Sequence, residues 1–231
     1  MQRSNIYILV FSAIMTVLIG GAMSLTSVLL KPAQDKQVEL DTKKKILGAV
    51  MDISTFNTPE EILNLYKARV KSVVVDIEGE IIATDEKGNP LIAEKVNAQK
   101  NHKIDREERL YPIYMILNEL DPNVVEAYVF PMFGLGLWDW ISGYVALESD
   151  LNTVKGVAFD HKGETPGLGA RITEEKVRNR YKENKKIFSD AGNLESITMV
   201  KGEGITGLSM HEVDGLSGAT ITAKGVNKML K

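Results

Sequence analysis

Residues 214–220, with the sequence DGLSGAT, place two hydroxyl side chains on a glycine-bearing turn just before a short predicted helix at the carboxyl end. The first N–H groups of a helix lack intrahelical acceptors and carry partial positive charge, so such a turn can receive a phosphate. Gly218 allows the backbone to approach closely, Ala219 keeps the floor of the turn small, and the Thr220 hydroxyl can be esterified by that phosphate. A simpler interpretation is that Ser217 or Thr220 only caps the helix.

Residues 161–169, with the sequence HKGETPGLG, form a second segment that combines glycine and proline with polar side chains. One interpretation is a loop that leads into the following helix. The functional interpretation is that Gly167 and Gly169 let the backbone approach a planar ring, while Glu164 and Thr165 form hydrogen bonds with polar parts of a ligand.

The two tryptophans of the chain lie in and beside residues 134–138, with the sequence GLGLW. A tryptophan side chain is a large apolar filler, so core packing is the simplest physical use of Trp138 and Trp140.

These three segments occur in a fixed order and together resemble the FMN-binding domain family. DGLSGAT is similar to the motif on which family members carry FMN through a phosphoester to the final threonine, and HKGETPGLG is similar to the other signature block of that family. GLGLW resembles the C subunits of the sodium-translocating NADH:quinone reductases within that family. With the N-terminal apolar segment, the resemblance extends over most of the chain.

The resemblance implies a site residue by residue. Thr220 carries the FMN, and it is preferred to Thr222 because it directly follows Gly-Ala in the motif. Asp214 serves recognition by the separate flavin transferase that moves FMN from FAD with magnesium. Leu168 is the candidate for apolar contact with the ring, and Trp138 is expected near the isoalloxazine. The other residues implied to contact FMN are Ser217, Gly218, Ala219, Glu164, Thr165, Gly167 and Gly169.

The function implied is electron relay through covalent FMN within a sodium-translocating NADH:quinone reductase. Electrons are expected from an iron–sulfur centre held by membrane subunits and pass to a second FMN on the B subunit, so this chain needs no catalytic acid or base. One alternative is the G subunit of the related ferredoxin:NAD oxidoreductase (Rnf-type) complex. Another is a non-redox, membrane-tethered binding module whose motif hydroxyls only cap a helix.

Composition excludes several other classes of protein. The chain of 231 residues has no cysteine, which removes disulfides, thiolate nucleophiles and cysteine-bound metal centres. Its three histidines, His102, His161 and His211, are far apart in sequence, and no metal site is predicted. A net charge of −3 provides no basic field for nucleic acid.

The N-terminal segment is predicted to span a membrane. Residues 4–30 contain no charge, and a helix over residues 6–30 would be roughly 37 Å long, enough to cross a hydrocarbon core with tilt. We therefore predict an anchor over residues 1–31. A cleaved signal peptide is the alternative, but its apolar region is usually only about 7–15 residues long.

Two arguments predict opposite orientations of this segment in the membrane. Arg3 precedes it and five lysines follow within residues 31–45, so the positive-inside rule favours a cytoplasmic domain. The resemblance implies instead a domain on the periplasmic side of the bacterial inner membrane. We adopt the periplasmic orientation, because partner helices can constrain topology and three acidic residues dilute the lysine charge.

The remaining chain is predicted as an α+β fold with a mainly antiparallel sheet. Residues 32–57 form a stalk or first helix, and residues 58–231 form the extracytoplasmic FMN-binding domain. Thr58 and Pro59 mark a helix start. Helices are also predicted over residues 173–188 and 221–230. Strands are predicted over residues 72–77, 81–84, 111–117, 124–130, 143–148, 153–159 and 197–201.

Two segments match well-known motifs without their context. Residues 202–207, GEGITG, fit G-x-G-x-x-G, but too few residues follow for a dinucleotide-binding fold, so a flexible loop is predicted. Residues 215–219, GLSGA, approach the nucleophile elbow, yet no histidine follows them to complete the hydrolase order.

Overall fold

The computed structural model describes residues 5–85, 87–182 and 184–231. Arg3 and the first four residues of the predicted anchor lie outside the described residues. The chain divides into two compact units, Met1–Asp41 and Thr42–Lys231.

The first unit is built on helix α1, Asn5–Gly48, which continues into the second unit. It is long and apolar enough to cross a membrane. Residues 5–39 are exposed along the whole length. The helix also continues through Pro32, so the predicted anchor and most of the predicted stalk belong to one helix.

The second unit contains a five-stranded antiparallel sheet, which confirms the predicted fold class. Its strands follow chain order as neighbours: β1 Val70–Val75, β2 Tyr111–Leu117, β3 Val125–Leu135, β4 Trp140–Glu148 and β5 Val154–His161. Alternating burial along β2 is typical of a sheet covered on one face more than the other. The predicted strand over residues 81–84 is reduced to isolated bridges at Ile81 and Thr84.

Helix α2, Pro59–Arg69, begins at the predicted position. Thr58 accepts a hydrogen bond from the backbone of Glu61, and the Glu61 side chain accepts one from the Thr58 N–H, which completes a capping box. The side chains of Ile62 and Tyr66 on this helix are buried.

The main core lies on one face of the sheet, where Ile141, Val145 and Phe159 pack with apolar residues from the last sixty positions of the chain. Helix α5, Thr220–Met229, contributes Ala223, Val226 and Met229 to it. On the opposite face, Tyr114 and Tyr144 pack edge to face with ring centroids 6.1 Å apart.

Smaller elements connect these layers. They are helices α3 Ala98–Asn101 and α4 Glu175–Asn179, 3₁₀ turns Ala93–Lys95, Arg106–Glu108 and Gly169–Thr173, and the short parallel strands β6 Thr198–Met199 and β7 Glu212–Val213.

The predicted helix over residues 173–188 is wrong beyond its first turns. After α4 the chain becomes extended, because Val154 donates its N–H to Lys185 O and Ile187 donates its N–H to Asn152 O. Asn184 takes a left-handed φ of 53°, which a continuing helix would not contain. Of the apolar residues at helical spacing in this segment, Val177 and Tyr181 are fully buried and Phe188 is half-buried.

Candidate functional site

The sheet and helix α5 bring the three motif segments to one end of the second unit. Residues 136–139 form the loop of the β3–β4 hairpin, where the N–H of Gly136 donates to Asp139 O at 2.9 Å. The second segment leaves β5, the neighbour of β4, and Lys162 donates its N–H to Trp140 O at 3.0 Å.

Helix α5 lies directly against the end of β3. At Gly225 a Cβ atom would collide with the carbonyl oxygen of Leu135, and at Gly134 a Cβ atom would come within 3.0 Å of Met229 Cβ. Because both positions are glycine, the helix carrying Thr220 approaches the hairpin at backbone contact distance.

Glu164 connects the second segment to the β3–β4 loop and to helix α5. Its side chain is buried, and Oε1 accepts hydrogen bonds from the N–H groups of Leu137 at 2.7 Å and Trp138 at 3.1 Å. Its Oε2 accepts the hydroxyl of Thr222 on helix α5 at 2.5 Å. One carboxylate therefore holds the hairpin loop and the helix to the second motif.

Two motif glycines make room for this carboxylate. A Cβ atom at Gly136 would collide with Glu164 Oε1, and one at Gly169 would collide with Oε2 and with the Thr222 hydroxyl. The sequence predicted that Gly169 lets the backbone approach a ring. In the structure Gly169 lies against Glu164 and Thr222.

The Glu164 carboxylate is held in its charged form. Burial raises its pKa, but hydrogen bonds from Thr222 and from the N–H groups of Trp138 and Leu137, together with His161 nearby, lower it by more, so the net pKa lies below the ordinary value. Both oxygens already have protein partners. The sequence predicted hydrogen bonds from Glu164 to a ligand, whereas its position suits holding the site together.

Thr220 is the first residue of helix α5, one residue after the N-cap Ala219. No side chain caps this helix at its described start, so neither Ser217 nor Thr220 acts as the helix cap that the sequence allows. Among the described residues the Thr220 hydroxyl has no hydrogen-bond partner, and the residue is half-buried. Thr222, the competing threonine, is 1% exposed and already bonded to Glu164.

The turn before Thr220 needs glycine. Gly218 has a φ of 75°, in the left-handed region that favours glycine, and a Cβ atom there would come within 2.8 Å of Leu168 Cδ2. Leu168, from the second motif, is thus a direct neighbour of the DGLSGAT turn. Gly167 also has a φ of 75°.

Large apolar side chains in and beside the three motif segments are exposed. Trp138 is 70% exposed, Ile221 56% and Leu168 43%. Trp140 differs, since it stacks on Phe133 with ring centroids 4.8 Å apart and has a structural role. Exposed tryptophan and leucine side chains are of the kind against which a planar ring can pack, and Leu168 adjoins the Gly218 turn.

The DGLSGAT segment is also bound to residues 202–207, the segment that resembles a dinucleotide motif. The Asp214 carboxylate accepts the N–H groups of Gly204 at 2.9 Å and Ile205 at 3.0 Å. Glu203 Oε2 accepts the N–H of Ser217 at 3.2 Å. Residues 202–207 therefore form a loop that supports the turn, a contact that spacing in the sequence did not reveal.

Beside Thr220 a groove of about 420 Å³ runs between helix α5 and residues 198–202. Its lining includes the apolar side chain of Leu216 together with Lys201 and Lys224. Within the described part of the chain, no group of three or more histidine, aspartate or glutamate residues can hold a metal ion.

The fit of these residues to a flavin phosphate is favourable. The first-turn N–H groups of α5 lack intrahelical acceptors, and an exposed apolar surface adjoins the turn. Within the described chain the Thr220 hydroxyl is also free to form a bond with a ligand.

Comparison with known proteins points to the same cofactor from an independent direction. Residues 136–231 match the model of a family described as FMN-binding domain. The C subunit of the Na(+)-translocating NADH-quinone reductase of Pseudomonas aeruginosa is 32% identical over 241 residues, covering 99% of this chain and 89% of the relative. The protein of the same name from Neisseria meningitidis serogroup B is 34% identical and covers 96% and 84%.

Solved structures agree with these relatives. The crystal structure of the Na(+)-translocating NADH-quinone reductase C subunit from Parabacteroides distasonis superposes with a TM-score of 0.70 at 32% identity, covering 87% of this chain and 91% of that one. Shewanella oneidensis NqrC superposes with a TM-score of 0.69 at 26% identity, covering 84% and 91%.

Proposed function

The chain belongs to the family of C subunits of the Na(+)-translocating NADH-quinone reductase, and from this membership we propose that its FMN is joined to Thr220 by a phosphoester bond. As a family member it is a flavoprotein subunit of a multisubunit oxidoreductase, its cofactor is FMN, and its partners are the other subunits of that complex. The single observation that carries the proposal is the Thr220 hydroxyl at the start of helix α5, which has no partner among the described residues.

In the proposed attachment reaction, FAD donates its FMN half to Thr220. The Thr220 oxygen forms a bond to the phosphorus of the FMN half of FAD, and the phosphorus–oxygen bond of the pyrophosphate breaks. AMP leaves with the electron pair, and the hydroxyl proton passes to the transferase or to solvent. Magnesium held by the transferase stabilises the charge on the phosphates.

The phosphodiester that results is an anion, and the start of α5 is suited to it. The free N–H groups of the first turn point toward that position, and the helix dipole favours negative charge there. Lys224, one helical turn after Thr220, lines the same groove as Thr220 and supplies a positive charge.

The isoalloxazine is proposed to rest on the exposed side chains of Trp138 and Leu168. Gly167 and Thr165 border this surface as part of the second motif, while Glu164 holds the Trp138 backbone in place. The protein would thus fix the position of the ring, which is what an electron carrier requires.

The electron path and the placement of the chain in the membrane are part of the same proposal. We propose that the FMN receives electrons from an iron–sulfur centre of the membrane subunits and passes them to the flavin on the B subunit. The apolar helix over residues 1–31 would anchor the chain in the bacterial inner membrane, with residues 32–57 as a stalk and residues 58–231 on the periplasmic side. Asp214 is proposed to serve recognition by the flavin transferase.

The alternatives are disfavoured by specific findings. The relatives from Pseudomonas aeruginosa and Neisseria meningitidis carry the name of the C subunit, so the Rnf-type G subunit is not favoured. A match to the FMN-binding domain family argues against a colourless binding module.

Mass spectrometry of the tryptic peptide 202–224 tests the attachment. This peptide contains Ser217, Thr220 and Thr222 but no internal lysine or arginine. Protein produced together with its flavin transferase is expected to carry the mass of one FMN on this peptide, and fragmentation should place it on Thr220.

The Thr220→Val variant should lose covalent FMN while its thermal unfolding stays close to that of the parent, because the change removes an oxygen without a described partner at nearly constant volume. Thr206→Val is the matched control: it makes the same change at an exposed threonine of the same peptide and should keep the FMN. Retention of FMN on peptide 202–224 of the Thr220→Val variant would refute the assignment.

A further inference from the structure

The loop 202–207 and the DGLSGAT segment hold each other through reciprocal contacts. Asp214 of the motif accepts two N–H groups of the loop, and Glu203 of the loop accepts the N–H of Ser217 in the motif. We name Glu203, Asp214 and Ser217 the bracket. The carboxylate of each segment accepts N–H groups of the other segment. Neither segment can therefore move without breaking hydrogen bonds to the other.

Two arginines fix the Glu203 end of the bracket. Arg171 donates to both carboxylate oxygens of Glu203, at 3.0 and 2.5 Å, and Arg180 donates to Oε1 at 3.0 Å. Arg180 also donates to the carbonyl oxygens of Asp214 at 3.0 Å and Gly215 at 2.6 Å. The side chains of Arg171 and Arg180 are only 14% and 17% exposed.

The backbone beneath the bracket is close-packed. A Cβ atom at Gly215 would collide with the carbonyl oxygens of Val200 and Gly202. The residues that follow strand β6 and the motif therefore touch at the backbone level. Residues 214–216 are fixed on the protein side, which leaves the exposed residues Ser217 and Gly218 as the less constrained part of the turn.

The N–H of Ser217 is the last backbone contact before Thr220 that ties this turn to the loop. The Ser217 side chain is exposed and has no partner among the described residues, and Gly218 is a conformationally permissive residue. Without the hydrogen bond to Glu203, the turn would sample conformations in which the Thr220 hydroxyl faces other directions.

We propose that Glu203 is a positioning residue for flavin attachment: through the N–H of Ser217 it holds the turn in the conformation that presents the Thr220 hydroxyl to the donor phosphate. This inference rests on the proposed function. It adds a residue that lies outside the DGLSGAT motif, in residues 202–207, which the sequence predicts as a flexible loop.

The expected effect follows from the fraction of molecules with a correctly placed turn. A hydrogen bond to a charged acceptor changes such a population by about tenfold or more. Loss of the bond should therefore slow FMN attachment about tenfold at saturating acceptor protein, with a smaller change in the KM of the transferase for the chain.

Two variants separate positioning from stability. In Glu203→Asp the shorter side chain withdraws the carboxylate from the Ser217 backbone, while the long side chains of Arg171 and Arg180 can follow it and keep their ion pairs. Arg171→Met removes an ion pair but leaves the Glu203 carboxylate beside the Ser217 N–H. The full chain would be produced without the transferase, then incubated with purified transferase, FAD and magnesium.

The measurements are the initial rate of covalent FMN incorporation and the unfolding temperature of each variant. We expect Glu203→Asp to slow incorporation about tenfold with little loss of stability, and Arg171→Met to lose stability yet keep its rate within about threefold. Incorporation by Glu203→Asp at the parent rate, or an equal slowing in both variants, would overturn the inference. Failure of the parent chain to gain FMN on Thr220 would instead refute the proposed function itself.

Discussion

Glu164 is the residue on which the site geometry depends most. Its carboxylate accepts three hydrogen bonds from groups that are distant in sequence, and removal of its oxygens would leave the Leu137 and Trp138 N–H groups and the Thr222 hydroxyl without these partners. We expect Glu164→Ala to lower the free energy of unfolding by about 3 kcal/mol. Urea unfolding of the flavin-free chain measures this.

The control for Glu164 is Glu174→Ala, which alters a partly exposed carboxylate that pairs with Lys176 at 3.0 Å and with Arg171 at 3.8 Å. That change should alter the free energy of unfolding by no more than about 0.5 kcal/mol. Equal effects of the two substitutions would mean that the Glu164 hydrogen bonds contribute nothing beyond an ordinary surface carboxylate.

The two tryptophans allow a direct test of which one adjoins the flavin. Because Trp138 is 70% exposed, Trp138→Ala should cost little stability, but it should shift the absorbance or the reduction potential of the attached FMN. Trp140→Ala removes a side chain stacked on Phe133 and should cost about 2 kcal/mol while leaving the flavin spectrum in place. An unchanged spectrum in Trp138→Ala would assign Trp138 to packing alone.

Sequence reasoning reached some residues of the site and not others, for a physical reason. A motif marks a chemical group, so Thr220 could be preferred to Thr222 from its neighbours in sequence. The partners of a buried carboxylate depend on contacts across many residues, and nothing in the spacing of Gly136, Gly169 and Glu164 shows that two glycines make room for one side chain. The contacts of Glu203 were hidden in the same way.

At the scale of elements, the sheet was predictable because each strand carries its own pattern. β-branched residues over 72–77 marked β1, and Thr58 with Pro59 marked the start of α2. The helix predicted over residues 173–188 failed because apolar residues at helical spacing can also be buried by an extended chain. Here hydrogen bonds to the start of β5 replaced those of a helix.

The packing of helix α5 predicts how a substitution at Gly225 changes stability. Alanine is the better helix former, so Gly225→Ala would stabilise an isolated helix. In this fold the added Cβ atom collides with the Leu135 carbonyl oxygen, so the helix must shift away from β3. We expect a loss of about 2 kcal/mol in the free energy of unfolding, measured by urea titration.

Lys228→Ala is the matched control for Gly225 because it lies on the same helix with an exposed side chain. It should leave the free energy of unfolding within about 0.5 kcal/mol of the parent. A stabilised Gly225→Ala variant would show that helix propensity outweighs the close approach of α5 to the hairpin.

Across the whole molecule, both the composition and the two compact units separate an apolar N-terminal segment from a folded domain. Without cysteine the chain has no thiolate with which to bind a redox centre, so an electron carrier of this composition needs a cofactor held by other chemistry. Residues 5–30 are mainly apolar and exposed, whereas the second unit contains the buried core and every candidate site residue. The candidate membrane segment and the candidate flavin site therefore reside in separate parts of the chain.

This division predicts the behaviour of a shortened chain that begins at Leu40, the first buried residue of the described chain. It keeps the core cluster and the Lys45–Asp160 ion pair, so its unfolding temperature should match that of the second unit in the full chain. It should leave the membrane fraction and appear in the soluble fraction, because the apolar helix surface is removed.

When mixed with the flavin transferase, FAD and magnesium, it should still gain FMN on peptide 202–224. A shortened chain that stays with the membrane fraction would show that residues 40–231 hold a second attachment surface. One that is soluble and folded but not flavinylated would show that attachment needs residues 1–39.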